Sequence, residues 1–475
     1  MTEQQPLSQD LRVWLDEYRR AHPDDVLELP APIDAREDLT AVVDALSTED
    51  RYPLVVAPGV TGTGADVPVL ANLFASRERL ARMLGVPLES LHREYAARSA
   101  RPRPMHAVAS SDHMIVRGDD VDLGALPILT HFASDKGPYI TSGVVVAVDP
   151  DTGVGNLSYH RATPASRTGL ALSLHSRGDL WRLLAKYAER GERMPVAMVI
   201  GAHPLFLLAA SARVPQSVDE REIAGGLFGA GLDVVRTPVH GIEVPATAEY
   251  VLEGYIDPAE HEAEGPFGEF SGYSSNRSTN NLMTVEAVMT RPDPVLLSVT
   301  GGRSAEHLTL ARLPREAEMV DKLMARFPQV VRVHYPNSGT HFHAYLAVDQ
   351  KRPGEARQIM LGLLGWDPYL KTVIAVDPDV DITDDSAVLW AAAVHVQPAA
   401  DVFVVDGLPG SPLDPSSSAD GTTSRMGIDA TRRQPFEGIP IVTSDAARER
   451  AAALLDSAAA APASSSPHDP RSSPR

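Results

Sequence analysis

Six residues, Glu264-Gly265-Pro266-Phe267-Gly268-Glu269, place two carboxyl groups at the ends of a segment that cannot be helical. Pro266 supplies no amide proton, and the glycines favour open or positive backbone angles. On a straight strand, acids five apart point to opposite faces, so a bent loop is needed to converge them. Once converged they form an acid/base device, because each charge raises the pKa of the other. A third acid, Glu249, ends Val244-Pro245-Ala246-Thr247-Ala248-Glu249, fifteen residues before the pair. Two glutamates in a loop more often make a solvated turn, so the neighbouring segments decide.

Four of those segments matter. Asn156 and Arg161 share Gly155-Asn156-Leu157-Ser158-Tyr159-His160-Arg161, just after a turn. His175 follows in Leu172-Ser173-Leu174-His175. Ser211 sits in Ala210-Ser211-Ala212-Arg213, and Arg425 in Ser424-Arg425-Met426-Gly427-Ile428-Asp429-Ala430-Thr431. Other candidates read as structural. His341 and His343 would share a strand face, which is metal-like spacing, but no third ligand is near. The acids between Asp377 and Asp385 lack the glycine and terminal glutamate of an EF-hand loop.

The elements that must carry these residues are legible in outline. Leu11, Trp14, Leu15 and Tyr18 fall on one helical face, and Pro23 closes the segment. Leu54-Val55-Val56 reads as a strand leading into Gly59-Val60-Thr61-Gly62-Thr63-Gly64. That turn is neither a phosphate loop nor a complete dinucleotide fingerprint. From about Gly118, short β-branched runs bounded by Asp/Gly turns predict a meandering sheet. One helix interrupts it, with Leu180, Leu183, Leu184 and Tyr187 inward, and the β pattern resumes at Met198 to Ile200 and Leu296 to Val299. Near Pro314 a second α/β region begins, with a helix through Met319, Val320, Leu323 and Phe327. Ser457 to Arg475 has almost nothing to bury and is predicted to be disordered.

Composition narrows the function. At 475 residues the chain has room for two or three domains, and 43% apolar with 22% charged residues is a globular balance. A net charge of −20 argues against a nucleic-acid groove or an anionic membrane surface as partner. An anionic ligand then needs a local arginine cluster or a metal. With no cysteine, disulfides, thiolate nucleophiles and Cys-based zinc sites are excluded. The polar first residues and the lack of any long apolar run predict a cytoplasmic protein.

Taken in order, Asn156-x4-Arg161, the Val-Pro-Ala-Thr-x-Glu ending at Glu249, Glu264 to Glu269, and Met426 to Thr431 resemble the UbiD family of decarboxylases, which use prenylated FMN. The likeness runs from the N-terminal helix, through Asn72-Leu73-Phe74-Ala75-Ser76-Arg77-Glu78-Arg79, to about Arg433. Two departures stand out. Many members carry Lys where Arg425 stands, and the family's Leu-Trp-Ala-x-x-Thr-Arg pattern ends here in His395.

The resemblance implies a mixed α/β fold in several parts. These are an N-terminal α/β domain (1–117), a central split β-barrel of the flavin-reductase kind that binds cofactor and metal (118–313), and a C-terminal α/β domain (314–440). A C-terminal helix and disordered tail follow (441–475). It makes Asn156, His175 and Glu249 ligands of Mn²⁺ or Mg²⁺, a donor set suited to such ions, with a potassium ion nearby. Arg161, Glu264 and Glu269 become the catalytic network, with Glu269 the proton donor that replaces CO₂. Asn156, Ser158 and Arg161 would wrap the flavin, and Arg425 and Ser211 would meet its phosphate. The implied reaction is reversible, non-oxidative decarboxylation of an aromatic, heteroaromatic or α,β-unsaturated acid. A flavin prenyltransferase would supply the cofactor, and the protein would be a homodimer or larger homo-oligomer. Two alternatives stay open: a flavin-free, metal-dependent hydrolase, and a non-catalytic flavin- or metal-binding subunit.

Overall fold

The computed structural model describes residues 7–174, 178–276, 279–439 and 441–460. They form two compact units, Met1–Thr431 and Arg432–Arg475. In the first unit the helix Leu11–Ala21 starts on Asp10, whose side chain accepts from the Arg12 amide. It buries Leu11, Trp14, Leu15 and Tyr18, the face its spacing predicts. A small sheet follows, ordered Val26–Glu28, Leu54–Ala57, Val69–Ala71 and Leu296–Leu297. Its last strand is a correction. Leu296 and Leu297 pair in parallel with Val69 and Leu70 instead of joining the central sheet. A two-residue apolar strand has no periodicity to say which sheet it serves.

The central sheet explains where the site must be. Its strands run, in spatial order, Ala162–Pro164, Gly169–Leu172, Asn281–Thr290, Tyr250–His261, Met194–Ile200, Val144–Val148 and Gly155–Tyr159. Met114–Arg117 pairs with Asn281–Thr290 from the side. All these pairings are antiparallel. The first and last strands of the path lie six spacings apart, about 29 Å in a flat sheet. Yet only His160 and Arg161 connect them, a reach of about 11 Å. The sheet must therefore curl until its edges meet, and Arg161 sits on the seam. The segment at Ile140 stitches it: Ile140 bridges Ala162, and the His160 amide donates to Gly143 O at 3.1 Å.

A five-stranded sheet carries the C-terminal half, ordered Val330–His334, His343–Val348, Thr372–Val376, Thr422–Asp429 and Val402–Pro409. Separate apolar clusters line its two faces, one under the helix Glu355–Trp366 and one under Asp385–His395. The helix joining it to the central sheet departs from expectation. Ala305–Arg326 is continuous, so residues 313 and 314 lie mid-helix instead of at an edge. Pro314 costs a hydrogen bond and crowds the Leu310 carbonyl, about 3 kcal/mol. Leu308, Leu310, Leu313, Met319, Val320 and Leu323 are buried along the same helix at about 1.5–3 kcal/mol each, which outweighs the proline.

His341 and His343 do not share a strand face. His343 opens its strand, while His341 lies in the preceding turn, after Thr340 at φ 51°. In the second unit, Asp445–Ala460 is a helix that reaches into the segment predicted to be disordered. Residues 461–475 lie outside the described residues.

Candidate active site

At the barrel seam, Arg161 holds both acids of the Glu264–Glu269 loop. Its Nε and Nη2 donate to Glu264 at 2.6 and 3.2 Å, and its Nη1 donates to Glu269 Oε1. The Phe267 ring lies 4.7 Å from the guanidinium, covering one face of the fork. The bend that converges the acids is held from below. The Gly265 amide donates to Tyr139 Oη at 2.9 Å, that hydroxyl donates to Pro266 O at 3.2 Å, and the Gly268 amide donates to Asp135 at 3.0 Å. Gly265 sits at φ 101°, a conformation reserved for glycine. Both carboxyl groups are buried.

One cation facing two buried carboxylates leaves an excess negative charge, so one acid is driven toward its neutral form. Glu269 is that acid. Burial raises its pKa, the Arg161 charge and hydrogen bond oppose the rise, and the Glu264 charge adds to it. Arg161 stays cationic: its burial is outweighed by the hydrogen bonds and charges of the two glutamates.

A second polar corner lies at the far end of the Gly155–Tyr159 strand. Asn156 Oδ1 is buried and has no hydrogen-bond partner among the described residues. Glu220, first residue of the helix Glu220–Phe228, accepts from the Leu157 amide at 3.1 Å and hydrogen-bonds with Asn156. Burial raises Glu220 to about 7, against the hydrogen bonds it accepts. Asp149, Asp179 and Gln216 line the same cavity. Gly155 is required here, since a Cβ would lie 2.2 Å from Arg221 Nη2. An orphaned amide oxygen beside a carboxylate is a donor pair that fits a hard divalent cation.

Glu249 does not belong to this corner. Asn156 lies opposite Ala147, and that row of the sheet crosses to Gly254 three strands away, five residues along from Glu249. Three strand spacings and five residue rises put the two on the order of 20 Å apart. The Glu249 oxygens are also committed. Arg12 donates to them at 2.9 and 2.6 Å, Arg291 at 3.4 Å and the Val295 amide at 3.0 Å. Glu249 is a buried ion-pair centre tying the first helix to the barrel, and the expectation that it ligates metal is corrected. His175 lies outside the described residues.

Of the expected cofactor contacts, Ser158 Oγ donates to His160 Nε2 at 2.9 Å, since His160 Nδ1 is taken up with Ser173 O. Ser211 follows the helix Pro204–Ala209, which Tyr159 Oη holds to the strand of Asn156 and Ser158 through Leu207 O. Arg425 is a second correction. Its Nη1 donates to Leu364 O and Asp367 O, and its Nη2 to Pro368 O and Pro409 O. It staples carbonyls inside the C-terminal half and has little left for a phosphate. Arg425→Met leaves those carbonyls buried without donors, at about 1–3 kcal/mol each. It should lower the urea midpoint sharply. An unshifted midpoint would refute the staple.

Glu220 is the site residue that sequence reasoning missed. In Asp219-Glu220-Arg221-Glu222 it looks like a solvated helix start. Only the pairing of the helix with a strand 63 residues earlier brings it to Asn156.

Comparisons with known proteins bear on this arrangement. Family models described as the N-terminal, Rift-related and C-terminal domains of 3-octaprenyl-4-hydroxybenzoate carboxy-lyase match residues 19–99, 105–304 and 308–430. The anhydromevalonate phosphate decarboxylase of Methanothermobacter thermautotrophicus is 33% identical over 368 residues, covering 77% of this chain and 86% of that protein. The UbiD-class enzyme HmfF from Pelotomaculum thermopropionicum, solved with FMN, superposes with a TM-score of 0.86 at 33% identity, covering 92% of this chain and 98% of that one. The apo 3,4-dihydroxybenzoic acid decarboxylase of Enterobacter cloacae gives a TM-score of 0.84 at 25% identity, covering 94% and 100%.

Proposed function

The chain belongs to the UbiD family and is a carboxy-lyase, and from that premise we propose that it decarboxylates an aromatic, heteroaromatic or α,β-unsaturated acid, reversibly and without net oxidation, using prenylated FMN. The observation that carries this reading is the Arg161 fork with both Glu264 and Glu269 on it, at the seam of the barrel. A flavin-free hydrolase finds no support among the relatives, which are decarboxylases. A purely binding subunit has no use for a buried carboxyl whose pKa is raised beside a charged fork.

When bound, the modified flavin supplies the electron sink for the departing CO₂. The chain's own residues do the rest. Arg161 presents a planar, permanently charged fork that orients a substrate carboxylate, with Glu264 holding the fork's other edge. Glu269, whose pKa burial and the Glu264 charge raise, donates the proton that takes the place of CO₂. Phe267 covers one face of the guanidinium, and the pinned loop fixes that cover in place. Asn156 and Glu220, with His175 from the resemblance, would hold Mn²⁺ or Mg²⁺. The ion's charge would balance a flavin phosphate on an acidic protein, and Ser158 and Ser211 would meet the cofactor beside it. Potassium, a prenyltransferase supplier and a cytoplasmic location are part of the same proposal. So is a homo-oligomer, which the evolved dimeric form of HmfF supports.

The test is anaerobic co-production with a flavin prenyltransferase, mass spectrometry of the released cofactor, and CO₂ release from a panel of aryl and alkenyl acids. Prenylated FMN with turnover supports the reading; metal without any flavin refutes it. The pH dependence checks the acid. Donation needs protonated Glu269, so turnover should be full below its raised pKa and fall as pH rises through it. Hydrogen–deuterium exchange into the product, which needs the carboxylate, should rise over the same interval. Flat profiles from pH 5 to 9 would remove Glu269 from the proton step.

A further inference from the structure

The Glu264–Glu269 loop is gripped along its length by one segment, residues 132–139, and different side chains hold its two ends. At the Glu264 end, Tyr139 Oη accepts from the Gly265 amide and donates to Pro266 O, and the Tyr139 ring lies 4.7 Å from Phe267. The Lys136 amide adds a bond to Pro266 O at 2.9 Å, and Lys136 Nζ donates to Ala263 O. At the Glu269 end, Asp135 Oδ1 accepts from the Gly268 amide at 3.0 Å.

Asp135 is set up for that contact by its own turn. Its amide donates to Phe132 O at 3.0 Å, and the Phe132 amide donates back to Asp135 Oδ2 at 3.0 Å. One carboxylate oxygen therefore orients the group while the other reaches the loop. Burial raises the pKa of Asp135, and the amides of Phe132, Gly268 and His131 and the charge of Arg161 hold it down. The ionised form, which only accepts, is the one that suits two amide donors.

The loop needs such a grip because of what stands at position 268. The Phe132 ring comes so close that a Cβ there would lie 2.6 Å from it, so the residue must be glycine. Glycine leaves the peptides on either side free to turn. The peptide after Gly268 is pinned, since the Glu269 amide donates to Tyr273 O at 3.0 Å. The peptide before it is pinned by Asp135. The pairing of Phe267–Gly268 with Ser274–Ser275 is only two residues long, too short to hold the place by itself. Across Gly268 stand the Phe267 ring, which covers Arg161, and Glu269, which meets Arg161 Nη1. Without Asp135 the ring and the acid can shift against each other. A misplacement of about 1 Å at a reacting group costs on the order of 10²-fold in rate.

We propose that Asp135 is a positioning residue for proton delivery: through the Gly268 amide it holds Glu269 on the Arg161 fork, while Tyr139 holds the Glu264 end that steadies the fork for the substrate carboxylate. This division of labour rests on the decarboxylase reading.

The test combines crystal structures with single-turnover kinetics on flavin-loaded wild type, Asp135→Ala and Tyr139→Phe, with flavin content and melting midpoint reporting the fold. In Asp135→Ala the Glu269 carboxyl should move off Arg161 Nη1 by about 1 Å or more while Glu264 stays in place. First-turnover CO₂ release should stay within about twofold of wild type, and appearance of the protonated product should slow at least about tenfold. Tyr139→Phe should do the opposite, weakening acid binding by at least about threefold with product protonation little changed. Asp135→Glu keeps the charge but displaces the oxygen by one methylene, so it must show the same split as Asp135→Ala, and it serves should the alanine variant fail to fold. Glu269 unmoved, CO₂ and product slowed equally, the same response in the Tyr139 and Asp135 variants, or loss of the fold in both Asp135 variants each overturns the proposal. A displaced Glu269, with no CO₂ from any acid even in the wild type, upholds the grip and sinks the decarboxylase reading; CO₂ release with Glu269 unmoved does the reverse.

Discussion

Replacing Glu269 by glutamine is expected to lower turnover by about 10²- to 10⁴-fold, the usual worth of a positioned general acid, while leaving cofactor loading and the fold intact. The amide keeps the shape of the side chain, and its carbonyl oxygen still accepts from Arg161 Nη1, so the fork stays where it is. What is lost is the proton. The substitution also removes the excess negative charge of the buried set, leaving Arg161 and Glu264 as a one-to-one pair. Stability should therefore hold or rise slightly, a combination that separates this variant from a general structural lesion. The measurement is single-turnover CO₂ release with flavin content determined on the same sample, together with deuterium incorporation from solvent. If the fully loaded variant turns over at near the wild-type rate, another group donates the proton.

Why this network could be read from the sequence, and the proposed metal corner could not, follows from how each is built. Glu264, Pro266, Gly268 and Glu269 are local, and a turn that cannot be helix or straight strand brings its own two ends together. Arg161 was legible as a partner, yet its position on the seam comes from the closure of seven strands. The proposed metal corner has no such local logic. Glu249 stands in a motif of suggestive composition, but strand register carries it to the far side of the sheet, against Arg12 and Arg291. Glu220 is disguised by its charged neighbours. The Arg425 carbonyl partners come from two separate stretches of chain, at Leu364 to Pro368 and at Pro409, so no spacing rule could have announced them. The helix through Pro314 makes the same point energetically: a local breaker is overridden where tertiary burial is worth more.

That difference between local and register-dependent placement makes the second large effect a paired one. Glu249→Ala should destabilise the protein by about 3–5 kcal/mol, because it strands buried positive charge that the carboxylate neutralised. Arg291 keeps Asp10 and Asp112, and Arg12 is partly exposed, so the loss should fall toward the lower end of that range. Glu220→Ala removes the hydrogen bonds to the Leu157 amide and to Asn156, and a carboxyl whose ionised form burial already disfavours. Its stability cost should be about 1–2 kcal/mol. Its cost to metal should be far greater, since Asn156 Oδ1 alone is a poor site for a divalent ion. Manganese stoichiometry on the dialysed protein and urea midpoints, taken on both variants, resolve the pair, with Glu249→Gln as the milder form should the alanine variant fail to fold. Metal lost from Glu220→Ala, with stability lost from Glu249→Ala, is the expected pattern. The exchanged pattern would mean that the carboxylate beside Asn156 does not hold the ion and that Glu249 reaches it despite a separation of about 20 Å along the sheet.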